Sequence, residues 1–324
     1  MAEIKIRFFS DGFKENRASH RLRGIVTAKG LVENGYDAKI LTDWADVDSD
    51  TIVVFLKNTV PSTIEKAKAL GAFTLYDLCD NKFGEKEEYI HCCMTADYVS
   101  VNSENMGASV KQHTGRDSII MPDPYERPKL EPKFSPGKEI KLLWFGSQSS
   151  YKFFPIAEVW QRLEKEIKDY RFTMISTKTS RVLSKMSQRQ NKGVISGINF
   201  SKLNMEEWSW QRQGELMAEC DIVLMPVSTD NYRTDTKSAN RVIDSLISGK
   251  FVVTSPLASY EDFKPYTWQE PDYIQGIKWA LAHPGKTLEK IKAGQQYTEN
   301  NYSAKVLSKK FIEDILKVKN GQPK

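Results

Sequence analysis

The chain is predicted to be an α/β protein of two domains, each built on a parallel sheet. Three observations carry this. Strand-like apolar runs alternate with helical patterns through residues 1–125, and the alternation restarts at 139 after a proline-rich interruption. A length of 324 residues suffices for about two cores. The composition, 40% hydrophobic and 27% charged, is that of an ordinary globular protein.

IKIRFFS (Ile4–Ser10) reads as the first strand, followed by a loop and a helix over about Ala18–Glu33 that Gly35 ends. AKILT (38–42), TIVVFLK (51–57) and FTLYDLC (73–79) are the next strands, with a helix over 61–70 before the last of them. A helix near 85–95, the strand DYVSV (97–101), another helix and the strand SIIM (118–121) complete the first series. Strict alternation of this kind implies right-handed βαβ units. Pro122, Pro124, Pro128, Pro132 and Pro136 then crowd one segment, which can continue neither sheet nor helix and marks the domain boundary at about 126–138. The second sheet is expected from IKLLWFG (140–146), RFTMIS (171–176), GVISGINF (193–200), DIVLMPV (221–227) and KFVVTS (250–255). The tail over 272–319 is helical, with breaks at Pro284 and near Asn301. The expected division is an N-terminal domain over 1–125, a donor domain over 139–300, and a last helix over 301–324 returning to the first domain.

No run approaches the ~18 apolar residues of a membrane span. The N-terminus lacks a cationic region followed by an apolar core, so no secretory signal is expected. Cys79, Cys92, Cys93 and Cys220 form no CxxC pair, which argues against structural zinc or a disulfide framework and for a cytoplasmic protein. Membrane contact is at most peripheral. The net charge of +5 is unevenly spread. Between Tyr170 and Met205 there is no acid, while Arg171, Lys178, Arg181, Lys185, Arg189, Lys192 and Lys202 are all cations. Lys178 to Lys192 recur at helical spacing, either as a solvated face or as a patch for a polyanion such as DNA.

Ligands of doubly wound sheets bind at the carboxyl ends of the strands, so the strand-to-helix loops carry the function. No such loop contains GxGxxG or GxxxxGK[ST], which disfavours a dehydrogenase or a P-loop NTPase. The loop FGSQSSYKFFP does have phosphate character: Gly146 permits close backbone approach, Ser147, Ser149 and Ser150 offer hydroxyls, and Lys152 stands at a helix start. KSANRVIDSLISGKFVVTSP (237–256) combines two rows at helical spacing. Ala239, Val242, Ile243, Leu246 and Ile247 form an apolar row, and Lys237, Asn240, Arg241 and Asp244 a polar one. Cations at a helix N-terminus suit a diphosphate. An acid one turn deeper suits vicinal hydroxyls such as those of ribose.

These segments resemble the GT-B glycosyltransferases of the GT4-like (family 1/4) group. The block MAECDIVLMPVSTDNYRTDTKSANRVIDSLISGKFVVTSP is similar to its nucleotide-sugar motif, KLLWFGSQSSYKFFP to its donor loop, and YDLCDNKFGEKEEYIHCCMTADYVSVNSENM with PDPYERP to its N-domain run. The resemblance implies two Rossmann-like doubly wound domains facing a cleft, with a helical C-terminal tail. It also implies a transferase of hexosyl or pentosyl groups using a nucleotide-sugar co-substrate, UDP-linked foremost, with no resident cofactor. Lys152, Lys237 and Ser147 would contact the phosphates, Asn240 and Arg241 the helix start and diphosphate, and Asp244 the ribose. The family's second acid falls on Thr236, with Asp235 beside it as the available substitute. The resemblance further implies retention of configuration without a metal, with Lys152, Lys237 and Arg241 neutralising the leaving diphosphate.

The acceptor is expected on the first domain. Candidates are Asp11, Gly12, Arg17, His20, Arg21 and Arg23 in the first loop and helix, and Asp77 and Asp80 at the fourth strand. His20 is the candidate base, and Arg21 and Arg23 would meet an anionic acceptor. Asp46-Val47-Asp48 matches the DxD metal signature of other glycosyltransferases but lies in a polar turn before a strand, so no metal site is assigned. A saccharide or glycan is the leading acceptor. A hydroxymethylated DNA base is the alternative, favoured by the cationic stretch with Trp208 and Trp210. A nucleotide-sugar sensor without activity is a third reading, favoured by the missing acid.

Overall fold

The computed structural model describes residues 4–57, 59–147, 156–177, 184, 199–227 and 232–321. Its contacts divide the chain into two units, one of Met1–Glu126, Asp235–Ile243 and Glu299–Lys324, the other of Arg127–Thr234 and Asp244–Thr298.

In the first unit the run TIVVFL is apolar at nearly every position, as a strand covered on both faces must be, and all six of its residues are buried. This strand, β3 (Thr51–Leu56), lies within a six-stranded parallel sheet with β1 (Lys5–Phe9), β2 (Asp37–Ile40), β4 (Phe73–Leu78), β5 (Tyr98–Val101) and β6 (Ser118–Ile120). The strand order is β2-β1-β3-β4-β5-β6. The order reverses between β1 and β3, so the loops leaving these strands flank the ligand crevice of this sheet type. The helix expected after β1 is present but divided. Ala18–His20 (α1) and Thr27–Glu33 (α2) are joined by a π-helical turn, Arg21–Val26. Thr27 Oγ1 donates to the carbonyl of Leu22 at 2.8 Å across it. Such a turn closes i→i+5 bonds in place of i→i+4 and is a local feature of otherwise helical chain. α3 (Pro61–Ala69), α4 (Glu87–Thr95) and α5 (Glu104–Thr114) connect the later strands.

The second unit is a five-stranded parallel sheet in the order β11-β10-β7-β8-β9. Its strands are β7 (Ile140–Gly146), β8 (Tyr170–Ser176), β9 (Leu203–Glu207), β10 (Ile222–Met225) and β11 (Phe251–Thr254). Here the switch point falls between β7 and β10. A strand was expected over 193–200. Most of that run, residues 193–198, lies outside the described residues; Phe200 opens a short 3₁₀ turn, and LNMEE is a strand that the sequence did not show. LNMEE is half-buried at the sheet edge, and a polar edge strand gives little apolar alternation to read. α6 (Ile156–Glu166), α7 (Trp210–Glu219), α8 (Tyr232–Asp235) and α9 (Asn240–Ile247) follow in chain order. α10 (Tyr273–Ala282), α11 (Pro284–Tyr302) and α12 (Ala304–Lys319) form the tail. The core of this unit includes Trp144, Trp160, Phe172, Leu224, Phe251, Ile274 and Ile277.

The proline-rich segment joins the second unit from Arg127 on. Gln295 Nε2 donates to the carbonyl of Leu130 at 2.8 Å. Gly249, at φ 64°, lies so close to Pro132 that a Cβ there would come within 2.9 Å of its Cα. Gly249 therefore both ends α9 in the left-handed conformation and admits the crossing chain. The tail returns to the first unit, where α12 packs on α2. No described helix is long and apolar enough to cross a membrane.

Candidate functional site

At the carboxyl ends of β4, β5 and β6 the first unit buries a charge network. Asp77 is the next-to-last residue of β4. Arg23, in the π-helical turn, reaches it with two bonds, Nε to Oδ2 at 3.0 Å and Nη2 to Oδ1 at 2.5 Å. Its Nη1 donates to the carbonyl of Met121 and to Asp123 Oδ1, the latter at 3.3 Å. Ser100 Oγ completes the shell of Asp77 with a 2.7 Å bond to Oδ1. The side chains of Arg23, Asp77 and Asp123 are 1%, 3% and 7% exposed. Burial opposes the charge on Arg23, yet the two carboxylates win and hold it protonated, above its ordinary value. Burial raises Asp123 above the usual carboxylate range, with Arg23 and a hydrogen bond from Ser238 offsetting part of the rise.

Arg23 and Asp77, the residues expected to meet the acceptor, are paired inside the first unit. Each is satisfied by the other and shut off from solvent. Arg21 is likewise taken up, by Glu126, through bonds of 2.6 and 2.7 Å. A cation at this helix start gains nothing from the helix dipole, but it gains a carboxylate partner from a distant loop.

His20 is fully buried. Lys14 N donates to its Nδ1 at 2.8 Å, which leaves the proton on Nε2, 3.3 Å from Ser10 Oγ. Its ring stacks on Phe13 at 4.9 Å. Burial, with repulsion from Arg17 and Lys57, pulls its pKa down to about 4, so the ring is neutral near pH 7. Both nitrogens serve the loop that carries them, an arrangement that suits a loop-ordering residue better than a base. Asp11, Gly12 and Arg17 of the same loop are exposed.

Lys57, just after β3, was not singled out by sequence reasoning, although the strand before it is unmistakable. It forms a short ion pair with Asp80, the residue two positions past β4. Burial penalises both charges. The pairing nevertheless holds Lys57 protonated and keeps the Asp80 carboxyl below its ordinary value. Asp80 also interacts with Lys237. Burial, then repulsion from Arg241, lowers the Lys237 ammonium to about 8 against the partial attraction of Asp80. Lys237 Nζ is shut off from solvent.

The segment Asp235–Ile243 groups with the first unit rather than with the second sheet, as the sequence division had it. Two hydrogen bonds explain this: Asn105 Nδ2 to the carbonyl of Asp235 at 3.1 Å, and Ser238 Oγ to Asp123 Oδ2 at 2.5 Å. The helix begins at Asn240, so Lys237 stands ahead of it and not within its first turn. Ala239, Val242, Ile243, Leu246 and Ile247 are all buried, as the apolar row requires. Asn240 and Arg241 are half-buried, Thr236 is buried, and the Asp235 side chain is exposed.

In the second unit Gly146 closes β7 half-buried, and Ser147 is exposed. The chain leaving β10 is pinned by Ser255 Oγ, which accepts from Val227 N at 2.8 Å, and Thr254 Oγ1 donates to the carbonyl of Met225 at 2.9 Å. The two loops singled out by sequence thus leave the strands on either side of this sheet's switch point. Asp244 is buried at 6% exposure. Ser149, Ser150, Lys152, Lys178, Arg181, Lys185, Arg189 and Lys192 lie outside the described residues. Of the remaining cations of that stretch, Arg171 pairs with Glu139 at 3.0 Å and Lys202 with Glu164 at 3.4 Å. Trp208 Nε1 donates to Gln213 at 2.7 Å, and Trp210 lies under the Arg127 guanidinium at 4.7 Å. Asp46 bonds to Arg7 and Lys39, and Asp48 to Lys5, so both carboxylates of the DxD are committed to cations. Among the described residues no cluster of three or more His, Cys, Asp or Glu side chains is placed to hold a metal ion.

No protein-family model matches the sequence, and no curated protein does. Solved structures do match in fold. A glycosyltransferase from Rickettsia africae ESF-5 superposes at a TM-score of 0.67 with 14% identity, over 98% of this chain and 98% of that one. Sucrose-phosphate synthase from Thermosynechococcus elongatus superposes at 0.69 with 9% identity, over 98% and 100%. A TarM variant from S. aureus, crystallised with fondaparinux, alpha-GlcNAc-glycerol and UDP, superposes at 0.60 with 13% identity over 82% of this chain. The chain spans only 55% of TarM's length. Its two parallel sheets and closing helices are those of the GT-B glycosyltransferase fold.

Proposed function

We propose that the chain is a glycosyltransferase that moves a sugar from a nucleotide-sugar donor, UDP-linked foremost, to a hydroxyl acceptor, with retention and without a metal. The observation that carries the reading is Lys237, an ammonium buried ahead of helix α9 with Arg241 beside it and a pKa drawn down to about 8. Two cations at the start of a helix, one with its ammonium out of solvent, suit a ligand of high negative charge. A diphosphate at the N-terminus of an eight-residue helix is such a ligand, and the GT-B fold supplies the context.

In this reading Lys237 and Arg241, with Lys152 and Ser147, neutralise charge that develops on the departing diphosphate. Gly146 lets the backbone approach it, Asn240 orders the helix start, and Asp244 accepts from ribose hydroxyls. Asp235 and Thr236 stand where the sugar is expected. His20 orders its loop, Asp80 stands at the first sheet's strand ends in its ion pair with Lys57, and the acceptor is a saccharide or glycan. The TarM variant was crystallised with a nucleotide and with saccharides, which supports this acceptor class.

The test is a calorimetric screen of UDP, GDP, ADP and their sugars against the wild type, Lys237→Ala and Arg241→Ala. One nucleotide should bind the wild type and bind each variant at least tenfold more weakly, about the loss of one charge-assisted contact. Indifference to every nucleotide would sink the proposal.

A further inference from the structure

The segment bearing Lys237 and Arg241 has a fastening of its own. Ser238 Oγ donates to Asp123 Oδ2 at 2.5 Å and accepts from Asn240 N at 3.3 Å, so one hydroxyl joins a buried carboxylate to the first amide of α9. Asp123 has little freedom to move. It is 5% exposed, and its other oxygen is 3.3 Å from Arg23 Nη1, whose guanidinium is anchored in turn by Asp77 and the carbonyl of Met121. A chain of charge-assisted hydrogen bonds thus runs from β4 through Arg23 and Asp123 to Ser238. It ends one residue past Lys237 and three before Arg241. A single neutral hydrogen bond on a loop would give way easily. A carboxylate held from behind by an arginine is a fixed post.

We infer that Asp123 is a positioning residue: through Ser238 it sets where α9 begins and so aims Lys237 and Arg241 at the phosphates they bind. The inference rests on the reading that these two cations hold the donor's diphosphate. Asp123 touches no substrate, and its effect passes through the Ser238 hydroxyl. The network also gives Arg23 a role that contact with an acceptor would not. Two carboxylates share one guanidinium, so the bond donated by Ser238 relieves the acid left with the weaker share.

The test is UDP binding by calorimetry on the full chain, for the wild type, Ser238→Ala, Ser238→Thr, Asp123→Ala, the Asp123→Ala/Ser238→Ala double variant, and Lys237→Ala as reference. Ser238→Ala and Asp123→Ala should each weaken UDP by about tenfold, as expected for losing one charge-assisted hydrogen bond. The double variant should lose no more than the worse single one, because both break the same link. Ser238→Thr keeps the hydroxyl and should bind as the wild type does. Ser238→Ala should stay folded with its thermal midpoint lower by only a few degrees, the loss of one hydrogen bond, which separates aiming from gross unfolding and covers a failure of Asp123→Ala to fold. Additive losses, or a Ser238→Ala that binds UDP normally while Lys237→Ala does not, would overturn the inference. If Lys237→Ala and the wild type bind UDP alike, or neither binds it, the donor-site reading is what fails. Amide exchange over Asn240–Ile243 then decides: faster exchange in Ser238→Ala upholds the positioning, and unchanged exchange removes it.

Discussion

Arg23 and Asp77 form a doubly bonded ion pair, 2.5 Å at its closest, with both side chains almost wholly buried. Asp123 leans on the same guanidinium. Removing the cation would leave two carboxylates in a dry site, whereas removing one acid leaves the arginine still paired. Arg23→Met should therefore cost about 3–5 kcal/mol of unfolding free energy in urea titration, and Ser100→Ala only about 1 kcal/mol. An Arg23→Met loss below about 1 kcal/mol would mean that the network contributes no stability.

His20 should give the protein an acid-sensitive limb. Its pKa is about 4 in the fold against an ordinary 6.5, so the unfolded chain binds the extra proton between these values. Stability from this group is complete above about pH 6.5 and drains as pH falls toward 4, by up to roughly 3 kcal/mol. His20→Gln can keep both hydrogen bonds without titrating. Its stability should be flatter than the wild type's across that window, and two parallel pH profiles would refute the assignment.

Lys237 should impose a pH limit on nucleotide binding at the alkaline end. Near pH 7 its ammonium is mostly charged. Above about 8 the free protein gives up this proton, which a bound diphosphate would have to restore. Asp80 stays ionised beside Lys57. Affinity for the nucleotide should thus fall above pH 8, by at most about tenfold per pH unit, and Lys237→Ala should abolish the slope. In the nucleotide-free protein the sign differs. Folding against a depressed lysine pKa costs most below 8, so Lys237→Met should raise the thermal midpoint at pH 7. A lower midpoint would count against the burial argument.

Gly30 decides whether α12 can dock. A Cβ there would lie 2.3 Å from the carbonyl oxygen of Ala304 and 2.7 Å from Ser308 Oγ. The first is backbone and cannot swing aside, so α2 and α12 would have to separate. Gly30→Ala should cost about 3 kcal/mol, with limited proteolysis releasing the C-terminal helix first. Retention of that helix at wild-type protease levels would contradict the contact.

Sequence and structure agree where the chemistry is local. TIVVFL and FVVT are strands in the sequence because a strand covered on both faces has to be apolar, and both are buried end to end. The apolar row from Ala239 to Ile247 shows the buried face of α9 for the same reason. Agreement fails where a residue's meaning depends on a distant partner. Arg23 and Arg21 look like exposed cations seeking an anion, and each finds one about a hundred positions away, in Asp123 and Glu126. Arg7 sits among apolar strand residues and is buried only because Asp37 and Asp46 close over it. Lys57 gains its interest from Asp80, which lies on the neighbouring strand's loop. LNMEE escaped as a strand because its sheet position, at an edge, asks for no apolar alternation.

The alternation of strand and helix, the proline break, and the residue types that suit a diphosphate are legible along the chain, since they follow from periodicity and side-chain chemistry alone. The tertiary structure decided which strands are neighbours, and so placed the two phosphate-like loops at the switch between β7 and β10. It also decided which charges neutralise each other. Burial acts on both Arg23 and Lys237, but carboxylates brought in by the fold outweigh it at Arg23 and raise that pKa, while at Lys237 burial and Arg241 outweigh the pull of Asp80 and lower it. Pairing across a sheet depends on distance in space, and separations of 54 and 100 residues along the chain carry no trace of it.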